Sequence, residues 1–293
     1  MNEGISTDLR IKFSRLISLL HTYQKAVLAF SGGCDSAFLL EAMKIADMKI
    51  LSVTGVSETT PGEDVKNAIS FANKIGIEHR VIETKEMQKE SFVSNPPDRC
   101  FHCKDELFTK LKLIAAENGF RFIFDGSNSD DRGDYRPGMR AAALHDVISP
   151  LAECFFSKEE IRAMSKELGL STWDKPSSPC LSSRFPYGRR ITPEALMRVA
   201  RAEDFLRTFG LHNLRVRDHG DTARIEVSEK DMYILINRET RLLVSSTLKS
   251  LGYKFISMDL EGYRSGSLNR VLEDQDTGLS FPLAGNKPKR HEY

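Results

Sequence analysis

The stretch VLAFSGGCDS, residues 27–36, decides how this chain folds. The apolar run at 26–30 is short and unbroken, which predicts a buried parallel strand. It breaks into Ser31-Gly32-Gly33 and resumes as an apolar helix from Asp35, SAFLLEAMKIA. A strand, a glycine turn and a helix N-terminus together make an anion site. Successive backbone N–H groups converge there, and the helix dipole adds partial positive charge. Glycine lets the backbone approach a phosphate with no Cβ in the way. Ser31 and Ser36 add hydroxyl donors. A Walker loop needs a lysine after its second glycine; Cys34 and Asp35 stand here instead, so γ-phosphoryl transfer is not indicated. Asp35 is a candidate ligand for Mg²⁺ on a bound pyrophosphate, or a cap for the helix.

Outward from this stretch the pattern alternates. A helix at 5–23 precedes the strand. Strands follow at 50–54, 78–82 and 121–124, and helices at 63–75, 103–117, 139–145 and 158–168. Such alternation predicts an α/β fold, a doubly wound parallel sheet with helices on both faces. Ligands of such sheets bind beyond the carboxyl ends of the strands. The SGG loop lies at one such end, and Asp125-Gly126-Ser127-Asn128 at another. Gly126, Ser127 and Asn128 therefore join Ser31, Gly32, Gly33, Asp35 and Ser36 as candidate nucleotide contacts.

A composition shift marks a boundary. WDKPSSPCLSSRFPYG, residues 173–188, holds three prolines and four serines without a period. Irregular loops of this kind are often functional. The expected domains are residues 1–188 and a smaller α+β unit at 189–293. In the latter, Thr192 caps a helix that opens at Pro193. Alternating stretches at 214–217 and 223–227 flank a His219-Gly220-Asp221 turn and read as a hairpin. A helix at 241–251 and a strand at 254–260 complete the unit.

Bulk composition narrows the function. The chain has 293 residues, 28% charged, with a net charge of +1. That balance offers no general attraction to nucleic acid or anionic lipid. The basic end KPKRHEY reads as a solvated tail. MNEGISTDLR has no apolar signal core, and no segment approaches the ~18 uninterrupted apolar residues of a membrane span. The expected location is the cytoplasm, with neither a membrane nor a nucleic acid as partner. Five cysteines without a secretory signal argue against a disulfide framework.

The placement of those cysteines carries chemistry. Cys100 and Cys103 stand in RCFHCK at a helix start, where the dipole favours thiolate. Cys180 stands in SSPCLSSR. Three thiolates from two loops make a metal site with an open fourth position. Zinc there implies hydrolysis; iron and sulfide imply a [4Fe–4S] cluster with one iron open to an outside ligand. The plain alternative is two buried thiols and a loop cysteine of no consequence. Cys154, in ECFF, reads as core.

The pattern SGGxDS at 31–36 resembles the pyrophosphate loop of the ATP pyrophosphatase (PP-loop) superfamily. FSGGCDS (30–36), NPPDRCFHCK (95–104), DGSNSDD (125–131), DYRPGMRA (134–141), SPL (149–151), WDKPSSPCLSSRFPYG (173–188) and DLEGYRSGSLNR (259–270) together resemble the LarE family of ATP-dependent sulfur transferases. The resemblance runs across nearly the whole chain. It implies an adenine nucleotide alpha hydrolase-like domain, ATP and Mg²⁺. It also implies a role in making the nickel-pincer nucleotide cofactor of lactate racemase. A carboxylate of pyridinium-3,5-biscarboxylic acid mononucleotide is adenylated, sulfur attacks, AMP leaves, and a thiocarboxylate remains. Family members differ in sulfur source. In some, the cysteine matching Cys180 gives up its sulfur and becomes dehydroalanine; in others, three cysteines hold a [4Fe–4S] cluster. Cys100 and Cys103 beside Cys180 favour the cluster, fed by sulfide or another sulfur donor. A homo-oligomer, a hexamer, is implied too.

Further contacts are assigned to the nucleotide substrate. Ser183 and Arg184, near Cys180, are candidates to meet an anion, since arginine offers a bidentate fork. Arg215, Arg217 and Arg264 are candidates for its phosphate, with Glu226 ordering an arginine. Trp173 reads as packing. Three other readings share features with this one. An amide ligase shares the loop, but nothing here resembles a glutaminase. A tRNA thiolase shares loop and cysteines but calls for a basic surface with stacking aromatics. An ATP- or zinc-binding regulatory module needs no reaction at all.

Overall fold

The structure, a computed structural model, describes residues 5–133, 137–176, 178–264 and 267–269. The basic tail and parts of the motifs at 134–141, 173–188 and 259–270 lie outside these residues. The first half runs α1 (Thr7–Tyr23), β1 (Lys25–Ala29), α2 (Cys34–Ile45), β2 (Lys49–Val56), α3 (Gly62–Ile75), β3 (His79–Glu83) and α4 (Glu90–Val93). Then come α5 (Arg99–Glu117), β4 (Phe122–Phe124), α6 (Pro137–Leu144), α7 (Pro150–Glu153) and α8 (Lys158–Glu167). The rest is α9 (Pro193–Arg207), β5 (Leu214–Asp218), β6 (Thr222–Val227), α10 (Met232–Ile236), α11 (Arg238–Ser250) and β7 (Phe255–Met258).

The first four strands form one parallel sheet in the order β3-β2-β1-β4. Val27 of β1 stands opposite Leu51 on one side and Ile123 on the other. Side chains alternate along a strand, so β1 feeds two cores. Ala26 and Leu28 pack with residues of α1, α2 and α8, while Val27 packs with Phe108 and Leu111 of α5 and Ala141 of α6. The sheet is thus covered on both faces, as the alternation predicts. The chain moves outward from β1 to β3 and then crosses back beyond β1 to β4. Such a reversal opens a crevice at the carboxyl ends of the two strands, and the SGG and DGSN loops flank it.

The second sheet has the order β5-β6-β7, with Val216 opposite Ile225 in an antiparallel hairpin and β7 parallel to β6. Leu214, Val216, Ala223, Ile225 and Val227 pack against α9 and α11. Arg215, Arg217, Arg224 and Glu226 alternate onto the other face. Thr192 caps α9, its side chain accepting from Ala195 N at 3.2 Å, with Pro193 in the first turn. A further cluster, including Phe92, Val93, Leu181, Phe185, Leu196 and Val199, joins α4, the irregular segment and α9.

Two details depart from expectation. Helix α5 starts at Arg99 rather than 103, because Pro96-Pro97 stop the preceding segment and Arg99 N bonds Pro96 O at 3.0 Å. Helices α4, α7 and α10 are additional, short turns over ESFV, PLAE and the apolar MYILI. Among the described residues, no helix is long and apolar enough to cross a membrane.

Candidate active site

The SGG loop is built as an anion cradle. Helix α2 starts at Cys34, and its N-cap Gly33 supplies no side chain to satisfy the first-turn N–H groups. Gly32 has φ +68°, and a Cβ there would lie 2.9 Å from Ala68 Cβ, so glycine is required by packing against α3. A Cβ on Gly33 would meet only Ser31 Oγ, at 3.3 Å. Ser31 and Ser36 hydroxyls are 3.0 Å apart across the loop. Gly126 approaches the start of α2 so closely that a Cβ would lie 3.0 Å from Ser36 N. The two strand-end loops therefore touch.

These loops line a cleft of about 410 Å³. Ser31, Gly33, Asp35, Ser36, Gly126 and Ser127 all reach it, as does Cys180. Three lysines that the sequence reading did not single out also line it: Lys104, Lys158 and Lys175. Lys158 Nζ lies 2.6 and 2.5 Å from the oxygens of Asp35, and Asn128 Nδ2 donates to Asp35 Oδ2 at 3.4 Å. Asp35 therefore caps nothing; its carboxylate is held at the cleft wall by a lysine. Ser127 Oγ donates to Asp125 Oδ2 at 2.8 Å, and Ser149 Oγ to Oδ1 at 2.7 Å. Burial alone would raise the Asp125 carboxyl, but Lys104 and these hydroxyls outweigh it and hold it low. Asn128 is buried and ties its loop together through Asp130 N and Asp131.

The cysteines stand on two segments that pack against each other. Cys180 precedes a short 3₁₀ turn, Leu181–Arg184. Leu181 N bonds Thr59 O at 2.9 Å, which lays this turn beside the β2–α3 loop. Asn95 Nδ2 donates to Pro186 O at 2.8 Å and its Oδ1 accepts from Arg99 at 2.6 Å. That stitch brings the CFHC turn of α5 against the Cys180 segment. Burial pushes the Cys103 thiol well up, and the charges of Glu86, Cys180 and Cys100 add to the effect against Lys104. Desolvation thus overrides the helix dipole that was expected to favour thiolate at Cys103. Cys103 also packs against the apolar cluster that includes Leu181 and Phe185, which sets it beside the Cys180 segment. Among the described residues, no three His, Cys, Asp or Glu converge closely enough to hold a single metal ion. By their chemistry, three cysteines offer the soft sulfur donors that an iron–sulfur cluster takes.

The arginines divide. Arg184 is 1% exposed and fully engaged within the chain. It donates to both oxygens of Glu203, at 2.8 and 2.9 Å, and to Pro179 O, Cys180 O and Ser183 Oγ. The geometry makes it a brace for Cys180, rather than the anion contact expected from its position. Arg215 is buried with its guanidinium 5.0 Å from the Tyr263 ring. Arg217 is buried too, donating to Glu226 at 2.9 and 2.7 Å and to Ser183 O at 2.7 Å. Arg217, Arg224, Glu226 and the exposed Arg264 line a second cleft of about 260 Å³ with Pro186. The stretch 180–186 thus borders both clefts.

Sequence reasoning missed Lys158, Asp64 and Glu203. Glu160, three residues after Ser157, announced a capping box and a helix there, but not the side chain that reaches Asp35. Lys104 and Lys175 sit inside quoted motifs, and that adjacency was the available signal.

Residues 15–110 match the NAD synthase family. The chain is 35% identical over 268 residues to pyridinium-3,5-bisthiocarboxylic acid mononucleotide synthase of Lactiplantibacillus plantarum, covering 90% of this chain and 96% of that protein. It is 40% identical over 265 residues to an uncharacterized Synechocystis protein, covering 99% of the latter. A tRNA-specific 2-thiouridylase of Rickettsia canadensis is 26% identical over 191 residues, 52% of this chain.

Proposed function

This chain belongs to the LarE family, that of the pyridinium-3,5-bisthiocarboxylic acid mononucleotide synthases, and on that footing we propose that it is an ATP-dependent sulfur transferase of nickel-pincer nucleotide biosynthesis. The substrate is pyridinium-3,5-biscarboxylic acid mononucleotide. One carboxylate oxygen attacks the α-phosphorus of ATP, and pyrophosphate departs. A free carboxylate is a poor electrophile, and the acyl-adenylate supplies AMP as a leaving group. A sulfur nucleophile then adds to the carbonyl carbon, AMP is expelled, and a thiocarboxylate forms.

The observation that carries this reading is that Cys180 lines the same cleft as Ser31, Gly33 and Ser36. Adenylation and sulfur delivery then share one chamber. The α2 N-terminus and Lys158 face the charge that develops on pyrophosphate, where fixed donors act without reorganisation. Asp35 is the residue that would hold Mg²⁺, released from Lys158. Cys100, Cys103 and Cys180 would hold a [4Fe–4S] cluster, whose contribution is to present a sulfide nucleophile. Arg217, Arg224 and Arg264 would grip the substrate phosphate in the second cleft. In this reading residues 1–188 handle nucleotide and sulfur, and residues 189–293 hold the substrate and join copies of the chain into a hexamer.

One observation favours a second route. Cys180 borders the cleft, and neither Cys100 nor Cys103 is among its lining residues. In that route Cys180 Sγ attacks the carbonyl carbon of the acyl-adenylate and expels AMP, which leaves a thioester. Loss of the Cα proton and cleavage of the Cβ–S bond then leave thiocarboxylate and dehydroalanine. The test is anaerobic purification followed by reaction with ATP and the dicarboxylate. A band near ~400 nm from sulfide-to-iron charge transfer, pyrophosphate release and many turnovers support the cluster. One turnover with loss of H₂S mass at Cys180 supports the sacrificial route. No pyrophosphate release would overturn both.

A further inference from the structure

Asp64, in the first turn of α3, spends both carboxylate oxygens on the segment that carries Cys180. Its Oδ1 lies 3.0 Å from Lys175 Nζ, and its Oδ2 accepts from Ser178 Oγ at 2.6 Å. Lys175 Nζ also donates to Gly32 O at 3.1 Å. One ammonium therefore joins the nucleotide loop, α3 and the Cys180 segment. The side chains of Lys175 and Asp64 are 19% and 16% exposed, so water screens this pair less than a surface pair. Asp64, Lys175, Ser178 and Cys180 all border the nucleotide cleft.

We propose that Asp64 is a positioning residue that sets Cys180 relative to the nucleotide loop, so that sulfur transfer depends on it and adenylation does not. This rests on the sulfur-transfer reading above. The physical case is one of distributed attachment. Downstream of Cys180, Leu181 N is held by Thr59 O, and the Cys180 carbonyl by Arg184. Upstream, Arg184 also holds the Pro179 carbonyl, and Ser178, two residues before Cys180, is tied through its hydroxyl to Asp64. Removing the carboxylate loosens the segment at Lys175 and Ser178, while the Arg184 and Thr59 anchors keep it folded. Adenylation relies on the backbone of the SGG loop and on Lys158, which do not touch Asp64.

Asp64→Ala and Ser178→Ala, the latter removing one tie alone, are compared with wild type in two assays. The first measures ATP-dependent pyrophosphate release and thiocarboxylate formation on the same sample. Thiocarboxylate formation is expected to fall about 10- to 100-fold in Asp64→Ala, the scale of an ångström misplacement, and less in Ser178→Ala. Pyrophosphate release should stay within about threefold of wild type. The second assay follows iodoacetamide labelling of Cys180 by mass spectrometry in the chelator-treated full-length chain, with the buried Cys34 as internal reference. Faster labelling of Cys180 at unchanged Cys34 is expected in both variants. Parallel loss of both half-reactions, or a Cys180 labelling rate equal to wild type, overturns the proposal. Ser178→Ala keeps the test open should Asp64→Ala fail to fold. Labelling needs no turnover, so a wild type that releases no pyrophosphate overturns the sulfur-transfer reading while leaving the Asp64 contacts tested.

Discussion

Arg184 and Glu203 form a buried two-pronged ion pair directly under the backbone that carries Cys180. Nε and Nη2 donate to the two carboxylate oxygens at 2.8 and 2.9 Å, and Nη1 reaches Pro179 O and Cys180 O at 2.7 and 3.1 Å. Glu203 also accepts from Val216 N at 3.0 Å, so the pair ties the Cys180 turn to β5 and α9 at once.

Arg184→Met should therefore destabilise the protein by about 3–5 kcal/mol, because it strands a buried carboxylate. Lysine should not restore the loss, since it lacks the planar fork. Urea unfolding measures both. A loss under about 1 kcal/mol would show that the brace is dispensable.

Acid should weaken the same pair. Burial alone would raise the Glu203 carboxyl, yet the hydrogen bonds and charge of Arg184 and the Val216 N–H prevail and depress it. A depressed carboxyl contributes stability above its unfolded value, about 4.3, and that contribution is lost as pH falls through the lower folded value. Glu203→Gln should be less stable at neutral pH, and its stability should depend less on pH below about 4. Unfolding curves between neutral and acid pH give the comparison, and equal slopes would refute the assignment.

The two loop glycines should separate fold from chemistry. Gly32→Ala places a Cβ against Ala68 at positive φ and should lower the melting temperature sharply. Gly33→Ala meets only a serine hydroxyl, so it should melt like wild type and lose pyrophosphate release. A Gly33→Ala protein with full release would sink the anion-cradle role.

In the second cleft, Arg264 is about half exposed and pairs only loosely with Glu261, at 3.5 Å. Its guanidinium is available to a phosphate at small structural cost. Arg264→Ala should raise KM for the mononucleotide more than KM for ATP, by the about 1.5–3 kcal/mol of a charge-assisted contact. Equal changes in both would remove Arg264 from the substrate site.

The cysteines give the sharpest contrast. If they hold a cluster, replacing Cys100, Cys103 or Cys180 with Ala should each cost bound iron and sulfide and abolish thiolation, with pyrophosphate release intact. If Cys180 is sacrificial, Cys100→Ala should still complete one turnover. Iron content and intact-protein mass distinguish the two.

What the sequence by itself determined here is local. The unbroken apolar run of VLAFSGGCDS and the strand–helix alternation around it predicted the parallel sheet and its helices, because a strand covered on both faces is apolar throughout. The Thr192 cap and the His219–Asp221 turn were legible for the same reason: their partners lie within a few residues. The site was legible only as a list of residues. Lys158 reaches Asp35 from 123 positions away, and Ser178 reaches Asp64 across 114. The tertiary structure alone decided which groups face the cleft and which support it. An arginine fork serves a substrate phosphate or a protein carboxylate equally well, and Arg184 became a brace because folding buried it beside Glu203. Cys103 likewise stands in a helix turn that favours thiolate, yet desolvation of this partly buried thiol, with the charges of Glu86, Cys180 and Cys100, pushes it up instead.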